Sequence, residues 1–217
     1  MVKFENVYVR SRNKYILEGV SFYIREKEKV VFYGKSGSGK TSILKTIVGG
    51  FIPEKGTVFF RGKPVCAKNV LKIRQEIVYI AQEPVLGAKT VREALFLPFD
   101  FKAHRNSAPS EEHVNELLRR FKLSPTLLNQ NSSSLSGGEK QRIAIARAVL
   151  LNKTVFVADE ITSALDSETK KTVIDFLMSP ENTIISVSHD PDWICRCNRV
   201  LTVEEGKVKE GTRNANH

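Results

Sequence analysis

Eight consecutive residues constrain this chain more than any other segment. Gly34-Lys35-Ser36-Gly37-Ser38-Gly39-Lys40-Thr41 fits G-x-x-x-x-G-K-[ST] at every fixed position. The apolar run Val30-Val31-Phe32-Tyr33 precedes it, and a helical pattern over 41–48 follows and stops at Gly49-Gly50. Strand, glycine-rich turn and helix, in that order, is the context in which such a match carries chemistry. Residues without Cβ let backbone approach a polyanion. Successive N–H groups and the helix N-terminus then point at phosphate oxygens. Lys40 is placed to reach the β and γ phosphates, and the Thr41 hydroxyl to ligate Mg²⁺. A nucleoside triphosphate with Mg²⁺ is the expected ligand, with contacts running from Gly34 through Lys35, Ser36, Gly37, Ser38, Gly39, Lys40 and Thr41 to Ser42.

Around this loop the pattern alternates. Short β-type segments are expected at 2–9, 19–24, 30–33, 57–60 and 77–80. From 83 to about 151 the strand signals stop. There Ser110 caps a helix with the stripe Val114, Leu117, Leu118 and Phe121, and a second helix begins at Ser136. Strand and helix then resume. Residues 155–158 form an apolar run of the kind buried on both faces of a parallel sheet, followed by a helix at 167–178 and a strand at 183–187. A hairpin turning at Glu205-Gly206 closes the pattern. The expectation is an α/β fold in which 1–82 and 152–217 form the core and about 83–151 a helical lobe.

Two further features carry chemistry. Asp159 and Glu160 end the apolar strand 155–158. Asp159 is placed to hold Mg²⁺, directly or through water, and Glu160 to orient and polarise an attacking water. Ser136-Gly137-Gly138-Glu139 reads as a capping box. Two glycines in its first turn weaken that helix by up to about 1 kcal/mol each relative to alanine. A helix start with bare backbone and a serine hydroxyl is a second anion site.

Composition narrows the setting. No apolar run approaches the 18 residues of a membrane span, the first residues lack a secretory apolar stretch, and three cysteines have neither redox nor zinc spacing. A soluble chain in a reducing compartment is expected. The net charge of +10 is uneven: residues 1–75 hold 16 Lys and Arg against 5 Asp and Glu, and the other 142 hold 18 against 19. An anionic partner for the first third follows, whether nucleotide phosphate, lipid head group or nucleic acid. A solvated lysine-rich surface would give the same excess.

Leu135-Ser136-Gly137-Gly138-Glu139-Lys140-Gln141-Arg142 resembles the signature motif of ATP-binding cassette (ABC) ATPases, and the rest of the chain agrees in order. Gln82 resembles the family's Q-loop glutamine and Asp159-Glu160 its Walker B end. Ser163-Ala164-Leu165-Asp166 resembles its D-loop and His189 its switch histidine. The resemblance implies the P-loop NTPase fold of ABC ATPases, with a RecA-like core sheet, an N-terminal antiparallel β part and an inserted helical subdomain. It also implies a head-to-tail homodimer holding two ATP molecules, each between one subunit's phosphate loop and the other's Ser136, Gly137, Gly138 and Glu139. In that frame Glu160 is the catalytic base, with His189 on the γ-phosphate and Gln82 sensing Mg²⁺ and water. Asp166 lies across the dimer seam.

The family's usual adenine-stacking aromatic falls here near Arg10-Ser11. Tyr8 and Tyr15 flank it, and Tyr8 is the expected stacking residue. Residues 83–101 are similar to the small ATPase subunits of bacterial iron-export or metal-stress systems. The function implied is an ATPase subunit peripheral on the cytoplasmic face of the membrane, driving a separate integral-membrane permease. Val85, Leu86, Val91, Leu95, Phe96 and Leu97 offer that contact. A soluble relative acting on nucleic acid or ribosomes is the alternative, although no nucleic-acid partner is expected because no nucleic-acid module signature occurs. A small-molecule phosphotransferase on the same loop ranks last, since it leaves the signature octet, Gln82 and His189 idle.

Overall fold

The computed structural model describes residues 1–211. In chain order they form β1 (Val2–Ser11), β2 (Lys14–Ile24), β3 (Lys29–Tyr33), α1 (Lys40–Ile47), β4 (Lys55–Phe60), β5 (Lys63–Pro64), α2 (Val70–Glu76) and β6 (Ile77–Ile80). There follow α3 (Val91–Phe96), α4 (Glu111–Arg120), α5 (Gly137–Leu150), β7 (Val155–Asp159), α6 (Ser167–Leu177), β8 (Thr183–Val187), α7 (Pro191–Arg196), β9 (Arg199–Glu204) and β10 (Lys207–Glu210). They divide into two compact units, one of 1–79, 154–160 and 178–211, the other of 80–153 and 161–177.

In the first unit, alternation along β1 buries Val2 and Phe4, then Val7 and Val9. The buried parity switches at Asn6, whose φ is 47°. Such a break needs a β-bulge, because a strand's side chains otherwise keep a period of two. β1 pairs antiparallel with β2 and β4, and β4 with β5, giving the order β2-β1-β4-β5. Gly56 of β4 sits opposite the break with φ 77°.

A second sheet runs β10-β9-β3-β8-β7-β6. β3 pairs parallel with β8 and β9, and β7 parallel with β8. The continuous apolar runs read from the sequence are its central strands, with β7 and β8 buried throughout. Ile43, Leu44 and Ile47 of α1 join residues of both sheets in one core. Register places the site: Phe32 lies beside Val187, and Val187 beside Asp159. The ends of β3, β7 and β8 are therefore level, at the carboxyl edge where open α/β sheets hold ligands.

The second unit is helical, and its helices start where capping chemistry directs. Thr90 with Glu93 and Ser136 with Glu139 form capping boxes for α3 and α5, and Ser110 caps α4. α4 buries Val114, Leu117 and Leu118 as the stripe requires. Arg147 of α5 donates to the carbonyls of Leu86 at 2.8 Å and Val85 at 3.1 Å. Of the six apolar residues expected to meet a permease, Leu86, Val91 and Leu95 are core, while Val85 is 80% exposed.

One boundary differs from the sequence reading, which assigned 161–177 to the core. The segment belongs to the helical unit, because Glu168 pairs with Lys122 and Phe176 packs edge-on against Phe121. β2 also begins earlier than expected, at Lys14, and α2, α3 and α7 went unread. Among the described residues no helix is long and apolar enough to cross a membrane.

Gly56 is where this fold tolerates change least. A Cβ there would lie 2.1 Å from the Asn6 carbonyl oxygen and 2.4 Å from that of Glu5, at a φ that L side chains rarely adopt. Gly56→Ala is expected to lower the melting temperature by at least several degrees, whereas Gly62→Ala, whose Cβ meets nothing within 4 Å, should cost less. Circular-dichroism melts of the two variants check this.

Candidate nucleotide site

The loop between β3 and α1 is built from glycines at three left-handed φ values: Gly34 at 151°, Gly37 at 76° and Gly39 at 109°. Each has its own reason. A Cβ on Gly34 would come 2.2 Å from the Val203 carbonyl oxygen, and one on Gly39 2.7 Å from that of Ile16. Gly37 meets nothing within 4 Å, so its bare backbone faces open space. Gly39 is the N-cap of α1 and supplies no side-chain cap, which leaves the first N–H groups of that helix for an outside acceptor. Ser38 is 8% exposed and its Oγ has no hydrogen-bond partner among the described residues. A buried hydroxyl without a partner is costly unless a ligand bonds it.

Lys40 is buried at the start of α1, and its Nζ donates to the carbonyls of Gly34 at 2.7 Å and Lys35 at 2.9 Å. Burial pulls its ammonium below the ordinary lysine value, against the attraction of Glu160 and Asp159. A desolvated cation beside aimed N–H groups is matched to a polyanion.

At the end of β7, Asp159 is 3% exposed. Its Oδ1 accepts from Thr41 Oγ1 at 3.2 Å and its Oδ2 from the Tyr79 hydroxyl at 3.3 Å. Burial pushes the carboxyl up, and the Thr41 and Tyr79 donors pull it back. The same burial, with Asp159 adjacent, drives the Tyr79 phenol well above its usual range, so it remains a donor. Mg²⁺ ordinarily takes one or two carboxylates and fills its other positions with phosphate and water. One hydroxyl bonded to one buried carboxylate, beside a phosphate-type loop, fits that ion.

Glu160 follows in the left-handed region at φ 47°, and its N–H donates to the Val187 carbonyl at 2.9 Å. A glutamate held there is strained, as residues at functional sites often are. The twist turns its side chain away from the strand's alternation, and Oε1 comes within 3.9 Å of His189 Nε2. Tyr33 packs edge-on against the His189 ring at 5.2 Å. Tyr33 and His189 line, with the loop residues 34–38 and Tyr15, an open cavity of about 1270 Å³ closed on another side by the β9–β10 turn.

The structure thus brings Lys40, Thr41, Asp159, Glu160 and His189 together in one unit. Tyr8, the residue expected to stack the base, stands apart from them. It does not line the cavity. Its ring lies edge-on to Tyr15 at 5.8 Å, Lys55 Nζ sits 5.9 Å from its centre, and its hydroxyl fills the space beside Gly19. Tyr15 does line the cavity, with its hydroxyl donated to Glu54 at 3.0 Å and the Arg10 guanidinium 5.6 Å from its ring centre. Pairing of Arg10 with Tyr15 across the hairpin sets that placement, which linear distance from Ser11 does not reveal.

The other expected residues lie in the helical unit. Gln82 is exposed just after β6. Ser136 accepts from the Glu139 N–H at 3.3 Å, while Glu139 Oε2 accepts from the Ser136 N–H at 2.8 Å. Asp166 caps α6, accepting from the Thr169 N–H at 2.9 Å and the Thr169 hydroxyl at 2.7 Å, with Arg142 of α5 at 3.6 Å. Sequence reasoning missed Tyr33 and Tyr79. Both stand on strands whose apolar character hid one hydroxyl-bearing member.

Residues 17–163 match the ABC transporter family. The chain is 33% identical over 216 residues to a probable iron export ATP-binding protein of Escherichia coli, covering 97% of this chain and 95% of that one. It is 30% identical over 208 residues to an energy-coupling factor transporter ATP-binding protein of Mycoplasma pneumoniae, covering 94% and 76%. Among solved structures, a dimeric ATP-binding cassette in a post-hydrolysis state with ADP and inorganic phosphate superposes with a TM-score of 0.86 at 29% identity, over the whole of both chains.

Asp166 gives a pH-dependent test. The Thr169 N–H and hydroxyl hold its carboxyl at about 2, below the ordinary 3.8. A depressed acid contributes stability that is complete above its unfolded value and is lost as pH falls through the folded one. Asp166→Ala is therefore expected to lower the urea midpoint at pH 7, and the gap from wild type should narrow between pH 4 and pH 2.

Proposed function

Since this chain belongs to the ABC transporter family and is an ATP-binding, ATP-hydrolysing subunit of that kind, we propose that it drives a separate membrane subunit by closing head-to-tail on a second copy of itself. One observation carries the reading. Register levels the ends of β3, β7 and β8, so Lys40, Asp159, Glu160 and His189 converge on one edge.

The triphosphate lies on the N–H groups of 34–41, with Lys40 between its β and γ phosphates and Ser38 Oγ gaining its missing partner. Thr41 and Asp159 would hold Mg²⁺, which would offset charge on the phosphate oxygens. Glu160 orients a water and polarises it for in-line attack on the γ phosphorus. As that oxygen bonds to phosphorus its proton passes to the Glu160 carboxylate, the bond to the β–γ bridging oxygen breaks, and ADP and inorganic phosphate depart. His189, 3.9 Å from Glu160, contacts the γ-phosphate and keeps the carboxylate aimed. The adenine stacks on Tyr15.

The start of α5 completes the site of the other copy. Ser136, Gly137, Gly138 and Glu139 present N–H groups and a hydroxyl to its γ-phosphate, and Asp166 lies at the seam. The dimeric form of the solved cassette supports this closure. The membrane subunit is a permease, and the pair works against it from the cytoplasmic face, with exposed Val85 among the docking residues. Relatives named as transporter ATP-binding proteins support that placement.

Glu160→Gln is expected to cut turnover at least 100-fold and to trap an ATP-bound dimer, seen by size-exclusion chromatography with Mg·ATP. A variant that stays monomeric there, or that turns over normally, overturns the reading. For the base, Tyr15→Ala should weaken binding of a fluorescent ATP analogue by about tenfold, while Tyr8→Ala stays within about threefold.

A further inference from the structure

Both oxygens of Asp159 are taken by donors from different elements. Thr41 Oγ1, at the start of α1, bonds Oδ1 at 3.2 Å, and the hydroxyl of Tyr79, on β6, bonds Oδ2 at 3.3 Å. The reaction described above uses Thr41 and Asp159 and leaves Tyr79 without a role. Yet Tyr79 is half-buried and its ring packs against the apolar core, where phenylalanine would supply the same volume. A hydroxyl in such a place costs desolvation free energy unless it bonds something. Its partner here is a nearly fully buried carboxylate.

The geometry has a consequence. A carboxylate tethered at one oxygen still turns about its Cβ–Cγ bond, whereas one tethered at both has its plane set. Thr41 can donate its proton to Oδ1 and keep a lone pair for a cation. Tyr79 bonds the other oxygen, so it restrains the carboxylate without occupying the oxygen that Thr41 shares. Outer groups that orient a metal-holding residue tune the affinity for the ion. We infer that Tyr79 is a positioning residue: it orients the Asp159 carboxylate and thereby sets how tightly the phosphate site holds its divalent cation.

The inference rests on reading Thr41 and Asp159 as the metal-holding pair, and the test separates the two. ATP binding by the full chain is titrated with Mg²⁺, and the same titration is run in excess EDTA. Mn²⁺ paramagnetic resonance with ATP present counts bound cation directly, with no turnover involved. Tyr79→Phe removes only the hydroxyl. It is expected to raise the Mg²⁺ and Mn²⁺ concentrations for half-saturation by about tenfold, to leave ATP affinity in EDTA within twofold, and to keep the melting temperature near wild type.

A cation requirement equal to wild type overturns the inference, as does an equal loss of ATP affinity with and without metal, the mark of a merely structural role. Should Tyr79→Phe fail to fold, Tyr79→Met, of similar bulk and without a donor, takes its place with the same expected outcome. Collapse of both assigns the position to folding alone and overturns the inference too. Wild-type protein that binds ATP without regard to Mg²⁺ would instead overturn the metal pair itself, and the wild-type curve reveals that by itself.

Discussion

Between the end of β3 and the start of α1, main chain meets main chain with no side chain between. Added Cβ atoms would come within 2.2 Å of the Val203 carbonyl oxygen at Gly34, 2.7 Å of that of Ile16 at Gly39, and 2.9 Å of Ile16 again at Gly206. The turn of the β9–β10 hairpin braces the contact. Gly206 N–H donates to the Ser38 carbonyl and the Glu18 N–H to the Gly206 carbonyl, both at 2.9 Å. This close approach ties the phosphate loop to β2 on one side and to the hairpin on the other. A loop that ordered itself only on binding would lose about 1–2 kcal/mol per residue in backbone entropy. A braced loop has lost it on folding, and its N–H groups are aimed beforehand.

Two adjacent carboxylates then receive different environments from one strand end. Asp159 keeps the strand's alternation, lies almost wholly buried, and is held by two hydroxyl donors. Glu160 leaves the strand through a left-handed residue, keeps 26% of its side chain exposed, and faces His189. The first is rigid and suited to an ion, the second more accessible and suited to water. In the proposed mechanism the division of tasks between them follows from a single backbone turn after Asp159, since the two side chains would otherwise have pointed to opposite faces of the sheet.

Much of this was legible in the residues because the strongest signals are local. The apolar runs of β3, β7 and β8, the capping residues Ser110 and Ser136, and the glycine spacing of 34–41 each describe neighbours in sequence. What escaped depends on pairing across distance. Tyr15 rather than Tyr8 reaches the cavity because of the hairpin register Arg10 to Tyr15. The segment 161–177 joins the helical unit through Glu168 and Phe176, whose partners Lys122 and Phe121 lie about 50 residues earlier. Tyr79 looks like any strand aromatic until Asp159, 80 residues on, is seen to bond it.

The glycines of α5 separate internal from external demands. A Cβ on Gly138 would come 3.0 Å from the Ala164 carbonyl oxygen, so packing within the helical unit already disfavours a side chain there. Gly137 meets nothing within 4 Å, and an alanine would strengthen the helix by up to about 1 kcal/mol. Internal stability gives no reason for a glycine at 137. Its bare backbone stands beside Ser136, an exposed residue whose hydroxyl bonds within the cap. A glycine that the chain's own packing does not require, at a capped helix start, is explained by something that approaches from outside. In the proposed closure that is the triphosphate carried by the second copy.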